Sequence, residues 1–103
     1  MSDHFNGLTP REAELLALLA EECGEVVQAI GKILRHGLES RHPNGGPTNR
    51  NSLGIEIGNV LAAVKLAEEA SVVSRSQIIL SEDRKLREVR QYLHHQSDEP
   101  VQP

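Results

Sequence analysis

The chain has 103 residues, enough for one small domain, and carries a formal net charge of −4 at pH 7. This acidic balance argues against binding to duplex nucleic acid, which normally needs a basic surface, and no apolar run reaches transmembrane length. A single cysteine excludes an intramolecular disulfide and fits the cytoplasmic location that we expect.

The first predicted helix opens on a strong N-terminal signal. Thr9 can cap the helix, Pro10 suits its first position, and Glu12 completes a capping box. The helical pattern continues for more than 25 residues. It is expected to stop just before Gly37, because glycine commonly ends helices.

Beyond this helix the sequence predicts a long loop and further helices. Residues 37–51 are rich in glycine, proline and asparagine, which predicts a loop, and so long a loop in a small domain is often functional or mobile. A second helix is predicted over 52–70. The third is predicted over about 75–95, after a connection short enough for an antiparallel return. A break near Ser81 would make four helices.

The predicted fold class is therefore all-α, an antiparallel helical bundle of three to four helices. Aromatic residues make up only 2% of the chain, so the core lacks its largest apolar units and oligomerisation is expected to complete it. The helical domain spans residues 9–95. Residues 1–8 are expected to form a loose N-terminus, and the polar residues 96–103 a disordered tail.

Three carboxylates crowd the middle of the first predicted helix. Glu21, Glu22 and Glu25 lie within about one turn, and like charges at this spacing repel by roughly 0.2–0.5 kcal/mol per pair. Either solvent or a bound divalent cation must offset the repulsion. Glu21 and Glu25 lie opposite the apolar stripe and Glu22 at its border, which by itself is typical of a solvated face.

A fourth carboxylate favours the bound cation over the solvated face, because Glu56 falls inside the apolar arc of the second predicted helix. Asn59 lies on the edge of the same arc. A carboxylate on a buried face is costly unless it is paired, protonated or bound to a metal. Lys32 or Arg35 could supply an ion pair as the alternative to a metal.

If the second helix packs over the acidic side of the first, the four glutamates converge in one cleft. Their oxygen-only chemistry suits Mg²⁺, or Mn²⁺ in its place, since both are hard cations that bind phosphates. The leucine-rich stripe of the first helix would then be left to contact other helices, including those of a second subunit.

These motifs resemble those of the all-α nucleoside triphosphate pyrophosphohydrolases, and most closely the small MazG-like proteins, including phage-type ones. The signature of that superfamily is Glu-Glu-x-x-Glu on one helix and Glu-x-x-Asp on the next. The likeness covers most of residues 9–95. It is carried by Leu15 to Ile30 (LLALLAEECGEVVQAI), Lys32 to Gly37 (KILRHG), Glu56 to Ala63 (EIGNVLAA), Asp83 to Leu86 (DRKL) and Tyr92 to His95 (YLHH).

The resemblance implies Mg²⁺-dependent cleavage of a nucleoside triphosphate to the monophosphate and pyrophosphate, by a homodimer or a tetramer of two dimers. Carried over by position, the metal ligands would be Glu21, Glu22, Glu25, Glu56 and Asn59, and Glu22 or Glu25 would activate the attacking water. Asn59 stands where the family has Asp, so weaker metal binding and lower activity are expected.

Five further side chains are candidates for contact with the substrate: Lys32, Arg35, Arg50, Lys85 and Tyr92. Each also has an ordinary structural explanation. Lys32 and Arg35 lie near a helix C-terminus, where cations are favourable, and Arg50 could be an exposed loop residue. Lys85 and Tyr92 could pack beside the apolar stripe of the third helix.

The sequence leaves two other functions open. One is a nucleotide-binding or metal-binding protein of the same fold that has lost catalysis. The other is a structural helical assembly module whose acidic residues form salt bridges. A response to Mg²⁺ would separate the first from the second, because only a ligand-binding protein is stabilised by its ligand.

Overall fold

The computed structural model describes residues 6–96 and shows a chain of helices. The elements are α1 (Pro10–His36), α2 (Asn49–Glu69), α3 (Arg75–Glu88) and a short 3₁₀-helix (Val89–Tyr92). Within residues 6–96 there is no strand, only one isolated antiparallel bridge between Arg41 and Thr48. The all-α prediction is therefore confirmed. The expectations for residues 1–5 and 97–103 lie outside the described residues.

The ends of α1 are those that the sequence predicts. The Thr9 hydroxyl accepts the backbone N–H of Glu12 at 3.1 Å, and the Glu12 carboxylate accepts the N–H of Thr9 at 2.8 Å. At the other end Gly37 has φ +93° and donates its N–H to the carbonyl of Ile33 at 2.7 Å. The predicted capping box and glycine stop are both confirmed.

Helix α2 starts three residues before the predicted position, so the predicted loop 37–51 ends at residue 48. Thr48 is the N-cap, and its hydroxyl accepts the N–H of Asn51 at 3.2 Å. Asn49 and Asn51, whose residue type suggested a loop, therefore occupy the first turn of the helix. A threonine cap satisfies a backbone donor there, and this local bond outweighs the turn preference of asparagine.

Helix α2 ends in a left-handed turn at Ser71, which has φ +59°. The N–H of Val72 bonds to the carbonyl of Ala67 at 2.8 Å, and that of Ser71 to the carbonyl of Glu68 at 2.9 Å. This is the double bond pattern of a Schellman motif, in which glycine is the usual residue. Serine adopts the same conformation at some steric cost.

Helix α3 is shorter than predicted. Ser74 caps it by accepting the N–H of Gln77 at 3.3 Å, but the Gln77 side chain donates to Ser81 instead of returning to the cap. The predicted capping box is thus only half formed. Ser81 lies inside a continuous helix, so the break considered there is absent. The α-helix ends at Glu88 and the 3₁₀-helix at Tyr92, short of the predicted end at residue 95.

The described chain forms two compact units, one up to Val73 and one from Ser74. In the first, α1 packs against α2. The buried side chains are small: Ala29 on α1, and Ala63 and Ala67 on α2, the last two at 1% and 0% exposure. The second unit consists of α3 in contact with its 3₁₀-helix. None of the described helices is long and apolar enough to span a membrane.

The helix faces that pack in the first unit are those that carry glutamates. Ala29 lies one turn after Glu25 on the same face of α1, and Ala63 lies two turns after Glu56 on the same face of α2. By contrast Val27 and Leu34, in the apolar stripe of α1, are 69% and 82% exposed. Burial on α1 thus centres on Ala29 and the neighbouring apolar residues, whereas Glu21 and Glu25 stay exposed and part of the apolar stripe is left open.

Candidate functional site

A cavity of about 530 Å³ opens in the first unit, between the C-terminal half of α1, the loop that follows it and the N-terminal half of α2. Ligand sites commonly have volumes of about 300–1,000 Å³, so the cavity has the size of a small-molecule site. The lining residues come from 25–36, 40–47 and 49–56. Its walls combine carboxylates, cations, imidazoles and neutral polar groups.

Two glutamates from different helices line this cavity. Glu25 is an exposed residue of α1, and Glu56 is a half-buried residue of α2. The buried alanines on the same helix faces allow the backbones to approach closely, because a methyl group occupies little space between packed helices. Packing through small residues thus brings together two carboxylates that are 31 positions apart.

Glu56 does not form the ion pair that the sequence allowed as its alternative role. Among residues 6–96 the structure has ion pairs between Arg50 and Glu39 and between Arg87 and Asp83, and none that involves Glu56. Lys32 and Arg35 line the same cavity as Glu56 without bonding to it. The carboxylate and the cations are therefore all available to a ligand.

Three cations line the cavity: Lys32 and Arg35 from α1 and Arg41 from the loop. Three cations against two carboxylates leave the wall with a small positive excess when the histidines are neutral. Such a lining suits a polyanion that brings a divalent cation with it.

The loop contributes residues that sequence reasoning missed, chiefly Arg41 and His42. Nδ1 of His42 accepts the backbone N–H of Asn44 at 3.1 Å, so the neutral ring carries its proton on Nε2 and can donate from there. The loop was predicted to be functional or mobile from its length alone. No local pattern distinguishes Arg41 from Arg50, the loop cation that the sequence favoured.

Arg50 lies outside the lining of the cavity and is held by Glu39. Nε of Arg50 donates to Oε1 of Glu39 at 2.7 Å, and Nη2 approaches the same oxygen at 2.5 Å. Both side chains are more than half exposed, so the pair adds little stability. It does link the start of the loop to the first turn of α2.

The remaining predicted ligands are spread more widely than the motif suggested. Glu21 and Asn59 are exposed, Glu22 is half-buried, and none of the three lines the cavity. They lie one turn or less from Glu25 or Glu56 along the helices. Lys85 and Tyr92 are exposed residues of the second unit. Their contact with a substrate stays a prediction.

The cavity residues fit Mg²⁺ best when the ion arrives with a phosphate chain. Within residues 6–96 no group of three or more His, Cys, Asp or Glu side chains is placed to hold a metal ion. Mg²⁺, however, commonly keeps several waters and is bound through one or two carboxylates together with substrate phosphates. Glu25 and Glu56 meet that smaller requirement, and the wider ligand set stays a prediction.

Comparison with known proteins adds no assignment to this geometry. No protein-family model, no curated protein and no solved structure matches the chain. The cavity and its charges therefore carry the functional argument, together with the motif resemblance.

Proposed function

We propose that the protein is a Mg²⁺-dependent nucleoside triphosphate pyrophosphohydrolase, which converts an NTP or dNTP to the monophosphate and pyrophosphate. The observation that carries the proposal is the cavity that Glu25 and Glu56 line together with Lys32, Arg35 and Arg41. Carboxylates suit the metal and cations suit the phosphate chain. Its volume of about 530 Å³ falls within the range of small-molecule sites.

In the proposed reaction water adds across the phosphoanhydride bond between the α- and β-phosphates. The water oxygen bonds to the α-phosphorus, and the bridging oxygen leaves with pyrophosphate. Lys32 and Arg35 hold the phosphate oxygens and stabilise the charge that builds on the leaving group. When bound, Mg²⁺ supplies further charge neutralisation along the phosphate chain.

Glu25 is the proposed acceptor of the proton from the attacking water. It lines the cavity, whereas Glu22, the other candidate of the motif, does not. General base catalysis by a positioned carboxylate typically contributes a factor of about 10²–10⁴. Glu56, half-buried on the opposite helix, is assigned to the metal.

The proposal includes an oligomeric helical bundle. Val27 and Leu34 of α1 are 69% and 82% exposed, and Leu61 of α2 is 57% exposed. Burying such side chains contributes about 1.5–3 kcal/mol each, so a second copy of the chain that covers them would add substantially to a thin alanine core. The motif resemblance implies a homodimer or a dimer of dimers for this assembly.

A second candidate function is nucleotide binding without turnover. Asn59 favours it, since an amide stands where the resembling family has an aspartate. An amide oxygen can ligate Mg²⁺ but adds no charge. Weak catalysis and pure binding differ in whether pyrophosphate is released.

The test is pyrophosphate release from a panel of canonical and modified nucleoside triphosphates with Mg²⁺ or Mn²⁺. Glu25→Gln should lower turnover about 100-fold or more, while Glu14→Gln, an exposed change on the same helix outside the cavity, should leave it unchanged. Asn59→Asp tests the wider ligand set that the resemblance implies, because it restores the carboxylate of the motif; turnover should rise if that set binds the metal. If neither the native chain nor Asn59→Asp releases pyrophosphate, hydrolysis is not the function.

A further inference from the structure

The first residues of the loop 37–48 are tied by hydrogen bonds to the start of α2, into which the loop runs. The backbone N–H of Asn49 bonds to the carbonyl of Ser40 at 2.8 Å, and that of Arg50 to the carbonyl of Leu38 at 2.9 Å. The Asn49 side chain donates to the carbonyl of Gly37 at 3.1 Å. The start of the loop is thus fixed relative to the cavity wall.

The tip of the loop is a tight turn that presents Arg41 to the cavity. The N–H of Gly45 bonds to the carbonyl of His42 at 2.9 Å, and Gly45 and Gly46 have φ +95° and +102°, which side chains rarely tolerate. Nη1 of Arg41 donates to the carbonyl of Gly46 at 3.3 Å. The turn geometry and this bond together place Arg41 in the lining.

The guanidinium of Arg41 keeps most of its bonding capacity for a ligand. It has five N–H donors, and the bond to Gly46 uses one of them. Within residues 6–96 no carboxylate pairs with Arg41, whereas Arg50, in the first turn of α2, is paired with Glu39. A planar guanidinium with unused donors matches the geometry of phosphate oxygens.

We propose that Arg41 is a substrate-binding residue that binds the phosphate chain of the nucleotide from the loop, in the cavity that Lys32 and Arg35 also line. This proposal rests on the proposed function for the identity of the ligand. It assigns to Arg41 the contact that the sequence expected of Arg50. It also gives the long loop a defined role as the wall of the phosphate site.

The experiment measures binding of inorganic triphosphate in the presence of Mg²⁺ by isothermal titration calorimetry at fixed ionic strength, and KM and kcat for the best nucleotide. Arg41→Gln should raise the Kd and the KM about tenfold or more, because it removes a charge-assisted contact. Arg41→Lys should have an intermediate effect, since it keeps the charge and loses the planar fork.

Arg11→Gln is the matched control, because it makes the same change of charge at an exposed position of α1 outside the cavity. It should alter neither constant. The melting temperature of each ligand-free variant reports on folding. If Arg41→Gln melts lower than the native chain, Arg41→Lys decides the outcome, and a Kd raised in Arg41→Lys with native melting supports the contact.

The outcomes separate the two proposals. Triphosphate binding that depends on Arg41, without turnover of any nucleotide, supports the contact and contradicts hydrolysis. Turnover with a Kd and KM that do not change in Arg41→Gln overturns the role of Arg41 and leaves the proposed function standing. Failure of the native chain both to bind triphosphate and to turn over any nucleotide overturns both.

Discussion

Replacing Glu56 by glutamine should weaken binding of Mg²⁺ while leaving the helix pair intact. The change preserves the size of the side chain and removes one of the two carboxylates that line the cavity. A pair of unit charges 4 Å apart at an effective dielectric constant of about 20 interacts by about 4 kcal/mol. A tenfold loss of affinity, about 1.4 kcal/mol, is therefore a conservative expectation.

This loss converts directly into a change of thermal stability. At a Mg²⁺ concentration ten times the native Kd, binding stabilises the native chain by about 1.4 kcal/mol, and the variant by about 0.4 kcal/mol. For a domain of 60–100 residues 1 kcal/mol corresponds to about 4–8 °C. The Mg²⁺-induced rise in Tm should therefore fall from about 6–11 °C to about 2–3 °C.

The assay is thermal unfolding followed by circular dichroism, with and without MgCl₂, against NaCl of equal ionic strength. The rise in Tm is compared within each variant, because removing a half-buried carboxylate also changes the metal-free Tm. Glu69→Gln is the matched control, an exposed position of α2 outside the cavity. It should keep the full response.

Glu21→Gln distinguishes the metal site that the cavity indicates from the ligand set that the motif predicts. Glu21 is exposed and does not line the cavity, so its replacement should reduce the Mg²⁺ response far less than Glu56→Gln. An equal reduction in the two variants would refute the assignment of the metal to the cavity. No rise in Tm with Mg²⁺ in the native chain would favour the structural assembly module.

Two further predictions concern stability and assembly. Ser71→Gly should raise the free energy of unfolding by up to about 1 kcal/mol, because glycine adopts the left-handed turn at the end of α2 without the steric cost that serine bears. Chemical denaturation measures this free energy. An unchanged denaturation midpoint would show that the turn is unstrained. Leu34→Glu should shift the chain from oligomer to monomer in sedimentation equilibrium. Leu34 is 82% exposed, and a charge at this position would be buried on association. A native chain that is monomeric at all concentrations would contradict the proposed oligomer.

Local signals in the sequence predicted the helix ends well wherever a cap was strong. Thr9 with Glu12 identified the start of α1, and Gly37 its end. The start of α2 was misplaced because Thr48 lies among turn-forming residues, and a cap becomes recognisable only when the helix behind it is known. The end of α3 was misplaced because periodicity does not distinguish an α-helix from the 3₁₀ turn that follows it.

The candidate site could be predicted only in part. Glu56 was recognised because its helix face is apolar, and the structure places it half-buried on the face of the buried Ala63. Arg41 could not be selected, since the direction of a loop side chain depends on hydrogen bonds between residues that are distant along the chain.

The acidic motif by itself determined which residue types are available and which helix faces carry them, because the 3.6-residue repeat fixes those faces. It could not determine that Glu25 is the α1 carboxylate in the cavity and that Glu21 and Glu22 lie outside its lining. The packing of Ala29 and Ala63 decided that, since the contact between α1 and α2 sets which turn of each helix borders the cavity. The sequence thus supplied the chemistry, and the tertiary structure selected the members of the site.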